Sequence, residues 1–557
     1  MRALTISRAA GLAGALVLGA CASTPPARQA EAASTITLSI VGTNDVHGGI
    51  LARDGRGGLA LLGGYVRNLR AARQRDGGAV LLLDGGDMFQ GTLESNLAEG
   101  APVVAAYNAL GYTAAAIGNH EFDFGPTGDA ATPVKPGDDP NGALKARASE
   151  ARFPFLAANL IDRARNAPVD WPNVRPATLV ETAGIRVGII GVMTLRALTA
   201  TVAANVTHLS VAPLADTIRT QATALRAKGA DVVLVAAHGG GVCKEFDRPD
   251  DPSSCETNSE IFTVARQLPP GLVDAIVAGH THAGIAHQIQ GIPIAESYST
   301  GRAFGRIDLL VDRASKKVVG KRSYPPMDLV PGVYEQAPVV PDAAVERVLA
   351  PTVEAVRLVK SRAIGVVVET PIRRLAPVSP LGQLFTDAML AWAPDADLAL
   401  NNSGGGLRAD LPAGPLLYGG VFEVMPFDNV MVKVRLTGRQ LRQVFANFIP
   451  RGRVLGFSGV RVKADCSAGS PAITMTRMSG APVRDEDSLQ VVVSNFVATG
   501  GDGILTPVMP EEGFPVDYSA PLMRDVFAEY LARYKEPLRE DRFLERGREM
   551  AVSNCAR

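Results

Sequence analysis

Five of the seven histidines in this 557-residue chain, His47, His120, His238, His280 and His282, sit in short polar segments that each follow an apolar run. Ile36, Leu38 and Ile40 lead into Asn44, Asp45 and His47, and Val80 to Leu83 lead into Asp84, Gly86 and Asp87. Ala114 to Ile117 precede Gly118, Asn119, His120, Glu121 and Asp123; Val232 to Val235 precede His238; Ile276 to Ala278 precede Gly279, His280 and His282. In α/β sheets ligands bind in the crevice beyond the carboxyl ends of the strands, so five such strands in one sheet would gather these groups. The donors are carboxylate, amide and imidazole without thiolate, which suits Zn, Mn, Co or Mg rather than an iron–sulfur or blue-copper centre. A carboxylate such as Asp87 can bridge two cations. One buried histidine alone is more often a hydrogen-bonded core residue, but five together after strands are not explained that way.

The elements that must position these groups read as α/β. From Thr35 to about residue 322, short β-branched runs alternate with Gly-containing loops and helical spacing, as in Leu59 to Arg73 and Leu214 to Lys228. The stretch from Pro126 to Asn141 reads as a surface loop. A Pro-rich segment, 325–342, follows, and Ala343 to Arg362 then predicts one helix with Val345, Val348, Leu349, Val353 and Val356 on a face. Residues 363–550 form a second domain, with strand signals at Gly365–Val368, Val430–Leu436 and Leu489–Ser494. The catalytic unit is expected at 35–324 and the linker with its helix at 325–362.

Composition limits the alternatives. With 46% hydrophobic residues and 56 Lys+Arg balancing 56 Asp+Glu, the chain has a full core and no general attraction for a nucleic acid polymer. Residues 1–21 combine a basic start, an apolar run too short to span a bilayer, and Leu18, Gly19, Ala20 and Cys21, which resembles a lipobox. This describes a lipoprotein-type signal peptide, the alternative being an ordinary cleaved signal with an incidental cysteine; Cys21 would carry lipid, residues 22–34 would form a tether, and the protein would reach the periplasm or cell envelope, touching a membrane only through that anchor. Export favours paired cysteines. Of three possible pairings, Cys243 with Cys255 would staple a polar loop, leaving Cys466 with Cys555; a zinc site would need a CxxC or Cys/His cluster that is absent from the sequence.

Asp45-x-His47, Gly86-Asp87, Gly118-Asn119-His120-Glu121, His238 and Gly279-His280-x-His282 together resemble the signature of the calcineurin-like metallophosphoesterases. The resemblance implies a four-layer sandwich of two packed sheets flanked by helices, holding two divalent metal ions. One metal would take Asp45, His47, Asp87 and His282, and the other Asp87, Asn119, His238 and His280. The implied chemistry is in-line attack on phosphorus by a metal-activated water, with His120 stabilising the transition state or protonating the leaving oxygen and Asp123 orienting it. Asn44 and Glu121 need only shape their loops.

In the second half, the segments Asn402 to Arg408, Pro426 to Asn429 and Asn495 to Gly503 resemble the C-terminal domain of the secreted 5′-nucleotidase and UDP-sugar hydrolase family. The resemblance implies an α+β substrate-binding domain in which Phe427 and Phe496 sandwich a nucleobase. Asn429 and Asp502 would bind base and ribose, and Arg408 phosphate or ribose. Further family arginines lie just before the Leu381-Gly382 segment; here Arg373 and Arg374 stand nearby, shifted, and Arg374 is the substrate-binding candidate. The expectation is a monomeric nucleotide phosphohydrolase acting on 5′-monophosphates. The alternatives are a 2′,3′-cyclic-nucleotide phosphodiesterase with 3′-nucleotidase activity, a thiosulfohydrolase, and a non-catalytic surface nucleotide-binding protein.

Overall fold

The computed structural model describes residues 34–557 except 129, 376–378, 449–454, 468–470, 512, 544–550 and 554–557. Cys21 and Cys555 lie outside the described residues. The first half contains two large sheets. The seven-stranded one runs in the order Val318–Asp328, Ala303–Asp312, Thr35–Thr43, Ala79–Asp84, Ala114–Ala116, Phe155–Leu156 and Val174–Arg175. The six-stranded one runs Gly284–Ile289, Ile292–Ser297, Ala275–Val277, Val232–His238, Ile185–Met193 and Ala177–Thr182. Central strands pair in parallel in both. Such strands are covered on both faces and read as continuous apolar runs, which Val232 to Ala237 illustrate.

Ile36, Leu38, Ile40, Leu81 and Leu83 of the first sheet pack against Val187, Ile189, Val232, Leu234 and Val277 of the second. Helices Leu59–Asp76, Ala101–Leu110 and Gly142–Glu150 cover the outer face of the first sheet, and Leu214–Ala227 and Glu260–Gln267 that of the second. This is the expected four-layer α/β sandwich. One expectation is corrected: the strand-end groups do not belong to a single sheet. Asp45, His47, Asp87, Asn119 and His120 follow strands of the first, whereas His238, His280 and His282 follow strands of the second. Face-to-face packing with the strands' carboxyl ends on one side brings the two sets together equally well.

The helix Ala343–Lys360 starts at Asp342, whose carboxylate accepts from the backbone N–H groups of Ala344 and Val345. It buries Val345, Leu349 and Val356, while Val348 and Val353 are 39% and 38% exposed. At 100° per residue, those two flank the stripe made by the other three, so the buried face is narrower than predicted. Val345 and Leu349 pack into the core of the first domain and Val356 into that of the second.

The second domain is built on a four-stranded sheet, in order Met431–Thr437, Ser488–Ser494, Leu398–Asn401 and Gly456–Ser458. Helices Pro380–Trp392 and Met523–Leu531 pack with Ala399, Met431 and Val492 on one face; Gly438–Phe448 packs with Leu398, Val432 and Val491 on the other. A disulfide joins Cys243 to Cys255 as expected, and Cys466 is also disulfide-bonded. Among the described residues no helix is long and apolar enough to cross a membrane.

Candidate metal centre and substrate cleft

Two groups of potential ligands face each other where the sheets end: Asp45, His47 and His282, and Asp87, His238 and His280. In the first, His47 Nε2 lies 3.0 Å from His282 Nε2, which is 3.3 Å from Asp45 Oδ1. In the second, His238 Nε2 lies 3.1 Å from His280 Nδ1, 3.2 Å from Asp87 Oδ2 and 3.0 Å from Asn119 Oδ1. Asp87 Oδ2 is also 3.9 Å from His47 Nε2, so one carboxylate oxygen faces both groups.

The surrounding bonds leave these atoms free to ligate. His47 Nδ1–H donates to the Gln90 carbonyl at 2.8 Å and His238 Nδ1–H to the Gly85 carbonyl at 2.9 Å, which turns each Nε2 lone pair toward the centre. Asp45 Oδ2 accepts from His280 N–H and the Asn44 amide, but Asp45 Oδ1 is buried without a hydrogen-bond partner. An orphaned buried carboxylate oxygen beside converging imidazole nitrogens fits a divalent cation, and oxygen and nitrogen donors suit the harder metals. Burial, and then the neighbouring His282, hold His47 well below its ordinary pKa; burial and His238 push His280 down to about 4. Burial opposes ionisation of Asp87, yet His238 and His120 hold its carboxyl well below the usual range. Neutral imidazoles at His47 and His280 beside an ionised Asp87 are the forms that bind metals. At His238 burial disfavours the imidazolium but Asp87 outweighs it and pushes the pKa up to about 10, so a cation binding there has to displace that proton.

The backbone is bent to reach this arrangement. Asp45, His47, Asp87, His280 and His282 all have positive φ, between 47° and 81°. Non-glycine residues pay of order 1–3 kcal/mol for such conformations, which persist only where their surroundings enforce them. Glu121 is one enforcer: its buried carboxylate accepts from the N–H groups of Asp87, Met88, Phe89 and Gly118. This is the loop-shaping role read from sequence, exercised on two loops at once. Gly118 is another, because a Cβ there would sit 2.2 Å from Asp87 Oδ1.

His120 belongs to neither group. Its backbone N–H donates to Asp87 Oδ1 and its Nδ1 bonds Asp123 Oδ2 at 2.6 Å, while Asp123 Oδ1 accepts from Thr201 Oγ1. Burial disfavours the imidazolium, but Asp123 and Asp87 outweigh it and raise the His120 pKa.

His120 lines a cleft of about 1330 Å³ whose other wall is the second domain, including Arg408, Phe427, Asn429, Phe496 and Asp502. The Phe427 ring lies 5.9 Å from His120 and 5.3 Å beneath the Arg408 guanidinium. Phe496 covers Gly501, where a Cβ would meet the ring at 2.4 Å. Asp502 accepts from the Asn402 amide at 2.9 Å. Arg374 does not line the cleft; it donates to the Leu407 carbonyl behind Arg408, and Leu375 takes the lining position. Sequence reasoning missed Gln90, Asn96, Arg196 and Thr201 and singled out Asn402 only as part of a segment, without a role; all five line the same space. Gln90 and Asn96 stand within ten residues of Asp87, a proximity that was a usable signal; Thr201 has none, being 78 residues from Asp123.

The sequence matches the calcineurin-like phosphoesterase family over residues 38–284 and the 5′-nucleotidase C-terminal domain over residues 364–509. The chain belongs to the calcineurin-like phosphoesterases that carry a 5′-nucleotidase C-terminal domain. Enzymes of this family are metal-dependent hydrolases. Endonuclease YhcR of Bacillus subtilis is 26% identical over 92% of this chain, which spans 41% of that protein's length. Protein UshA of Yersinia enterocolitica is 26% identical over 85% of this chain and 87% of its own length. The crystal structure of a 5′-nucleotidase precursor from Thermus thermophilus superimposes with a TM-score of 0.70 at 27% identity, covering 94% of this chain and all of that one.

Proposed function

We propose that the protein is an exported dimetal nucleotide phosphohydrolase that releases phosphate from nucleoside 5′-monophosphates, with UDP-sugars as further substrates. The observation that carries this reading is one cleft with Asp87, His280 and His282 from the ligand groups, together with Asn119, on one wall and Phe427, Phe496 and Asp502 on the other. Asp45, His47, Asp87 and His282 would hold one divalent cation, and Asp87, Asn119, His238 and His280 the second. When bound, Zn, Mn, Co or Mg supplies Lewis acidity toward the phosphoryl oxygens. His120 then presents its ring to the leaving oxygen and gives it a proton, held in orientation by Asp123. Arg408 binds phosphate or ribose, Asn429 and Asp502 bind base and ribose, and the two phenyl rings stack the base. Phosphate release measured on AMP, UDP-glucose, 2′,3′-cyclic AMP and p-nitrophenyl phosphate, with and without Mn, tests the reading; p-nitrophenyl phosphate as the sole good substrate would overturn it.

The phenylalanines make a sharper expectation. Stacking contributes roughly 1–3 kcal/mol per base, so Phe427→Ala with Phe496→Ala should raise KM for AMP about tenfold to a hundredfold. Hydrolysis of p-nitrophenyl phosphate, which has no base to stack, should fall far less. Equal losses on both substrates would mean that the rings support the fold instead.

Export rests on residues 1–21, with Cys21 as the lipid-bearing residue. Cys21→Ser is expected to move active enzyme from the membrane to the soluble fraction of the producing cell. Wild-type enzyme found wholly in the soluble fraction would refute the anchor.

A further inference from the structure

We propose that Gln90 and Asn96 are positioning residues that lock the second domain onto the metal centre by gripping one carbonyl, that of Pro426. Their role in nucleotide selection rests on the reading above. Gln90 Nε2 and Asn96 Nδ2 each donate to Pro426 O at 3.0 Å, filling both lone pairs of that oxygen. The next residue is Phe427, whose ring faces His120. On its other side Gln90 accepts, through its own backbone carbonyl, the Nδ1–H of His47. One residue therefore touches a metal-binding imidazole with its main chain and the stacking peptide with its side chain.

The neighbouring contacts agree. Leu93, between the two amides, is buried in the apolar cluster of the second domain with Phe422 and Met425. Lys360 pairs with Glu94 at 2.6 Å, and Arg53 with Glu423 at 3.2 Å. The Arg53 pair is exposed and contributes little, whereas Gln90 is only 2% exposed and Pro426 is buried. Removing the amides leaves a buried carbonyl unpaired, so the loss exceeds that of an ordinary surface bond. The segment from Asp87 to Asn96 thus carries the carboxylate facing both ligand groups at one end and the grip on the stacking peptide at the other. Phe427 is held in place before any base arrives, and a preorganised contact spends less binding energy on ordering.

The test is the double variant Gln90→Met with Asn96→Asp, in the full chain. Methionine keeps the volume and the backbone carbonyl that holds His47; aspartate keeps the acceptor used by Gly91 N–H but turns a donor into an acceptor toward Pro426. Two readouts are taken: small-angle X-ray scattering, and the ratio of kcat/KM for AMP to that for p-nitrophenyl phosphate. We expect a larger maximum dimension and a ratio lowered about tenfold, mainly through KM for AMP. The single variant Asn96→Asp should move both readouts the same way by less, and serves if the double variant does not fold. An unchanged ratio overturns the proposal. If the wild type shows no preference for AMP, the nucleotide reading has failed, and scattering alone then decides: expansion supports the lock, and an unchanged profile overturns it.

Discussion

Asp87→Asn should strip the protein of metal. Asp87 is 2% exposed, and its Oδ2 stands 3.9 Å from His47 and 3.2 Å from His238, so it is the carboxylate that faces both ligand groups. Asparagine keeps the shape but removes a full negative charge from a place where two cations would otherwise repel each other. Outer-sphere partners of a metal alone are worth about 10- to 100-fold in affinity, and a shared inner ligand should be worth more at each position. Elemental analysis after dialysis should find fewer than one metal per chain, against two in the wild type. Two metals retained at wild-type affinity would remove Asp87 from its bridging role. Because the readout is metal content, the outcome does not depend on which phosphate ester is the substrate.

His120→Ala should do the opposite: keep the metals and lose the turnover. His120 lies outside both ligand groups, 5.1 Å from the His47 ring, and is fixed by Asp123, itself fixed by Thr201. A positioned proton donor contributes about 10² to 10⁴-fold, and kcat for AMP should fall within that range. The poor leaving group of AMP, an alkoxide, needs the proton; p-nitrophenolate needs it much less, so the variant should lose less on the aryl ester. A variant with full activity on AMP, or an equal loss on both esters, would take the proton-donor role away. Asp123→Asn should reproduce a weaker form of the same pattern, since it leaves the imidazole in place but unanchored.

Much of the centre was legible in the sequence because each ligand lies within five residues of the carboxyl end of a strand, and strand runs are the easiest local signal to read. What could not be read was which sheet each strand joins. The apolar runs before Asp87 and before His238 are equivalent locally; their separation into two sheets depends on pairing across long intervals, to which composition is blind. The same applies to Val348 and Val353: both are apolar and flank the buried stripe of their helix, and their 39% and 38% exposure is set by tertiary packing that the helical period alone does not show. Arg374 failed to reach the cleft because its guanidinium is committed to the Leu407 carbonyl. That Glu121 shapes its loop was read from sequence, but not that it holds four backbone N–H groups of two loops, because such bonds leave no mark in side-chain patterns.

The helix Ala343–Lys360 seats Val345 and Leu349 in one core and Val356 in the other. No cut in the chain can therefore release a catalytic fragment and a substrate-binding fragment that are both intact. A truncation before the helix uncovers the apolar floor on which Val345 and Leu349 rest; one after it leaves Val356 and the last turn with nothing to pack on. Unfolding either half pulls the shared rod out of the other. Heat or denaturant should accordingly melt the two halves in a single transition, and calorimetry resolving two independent ones would show that the rod does not couple them.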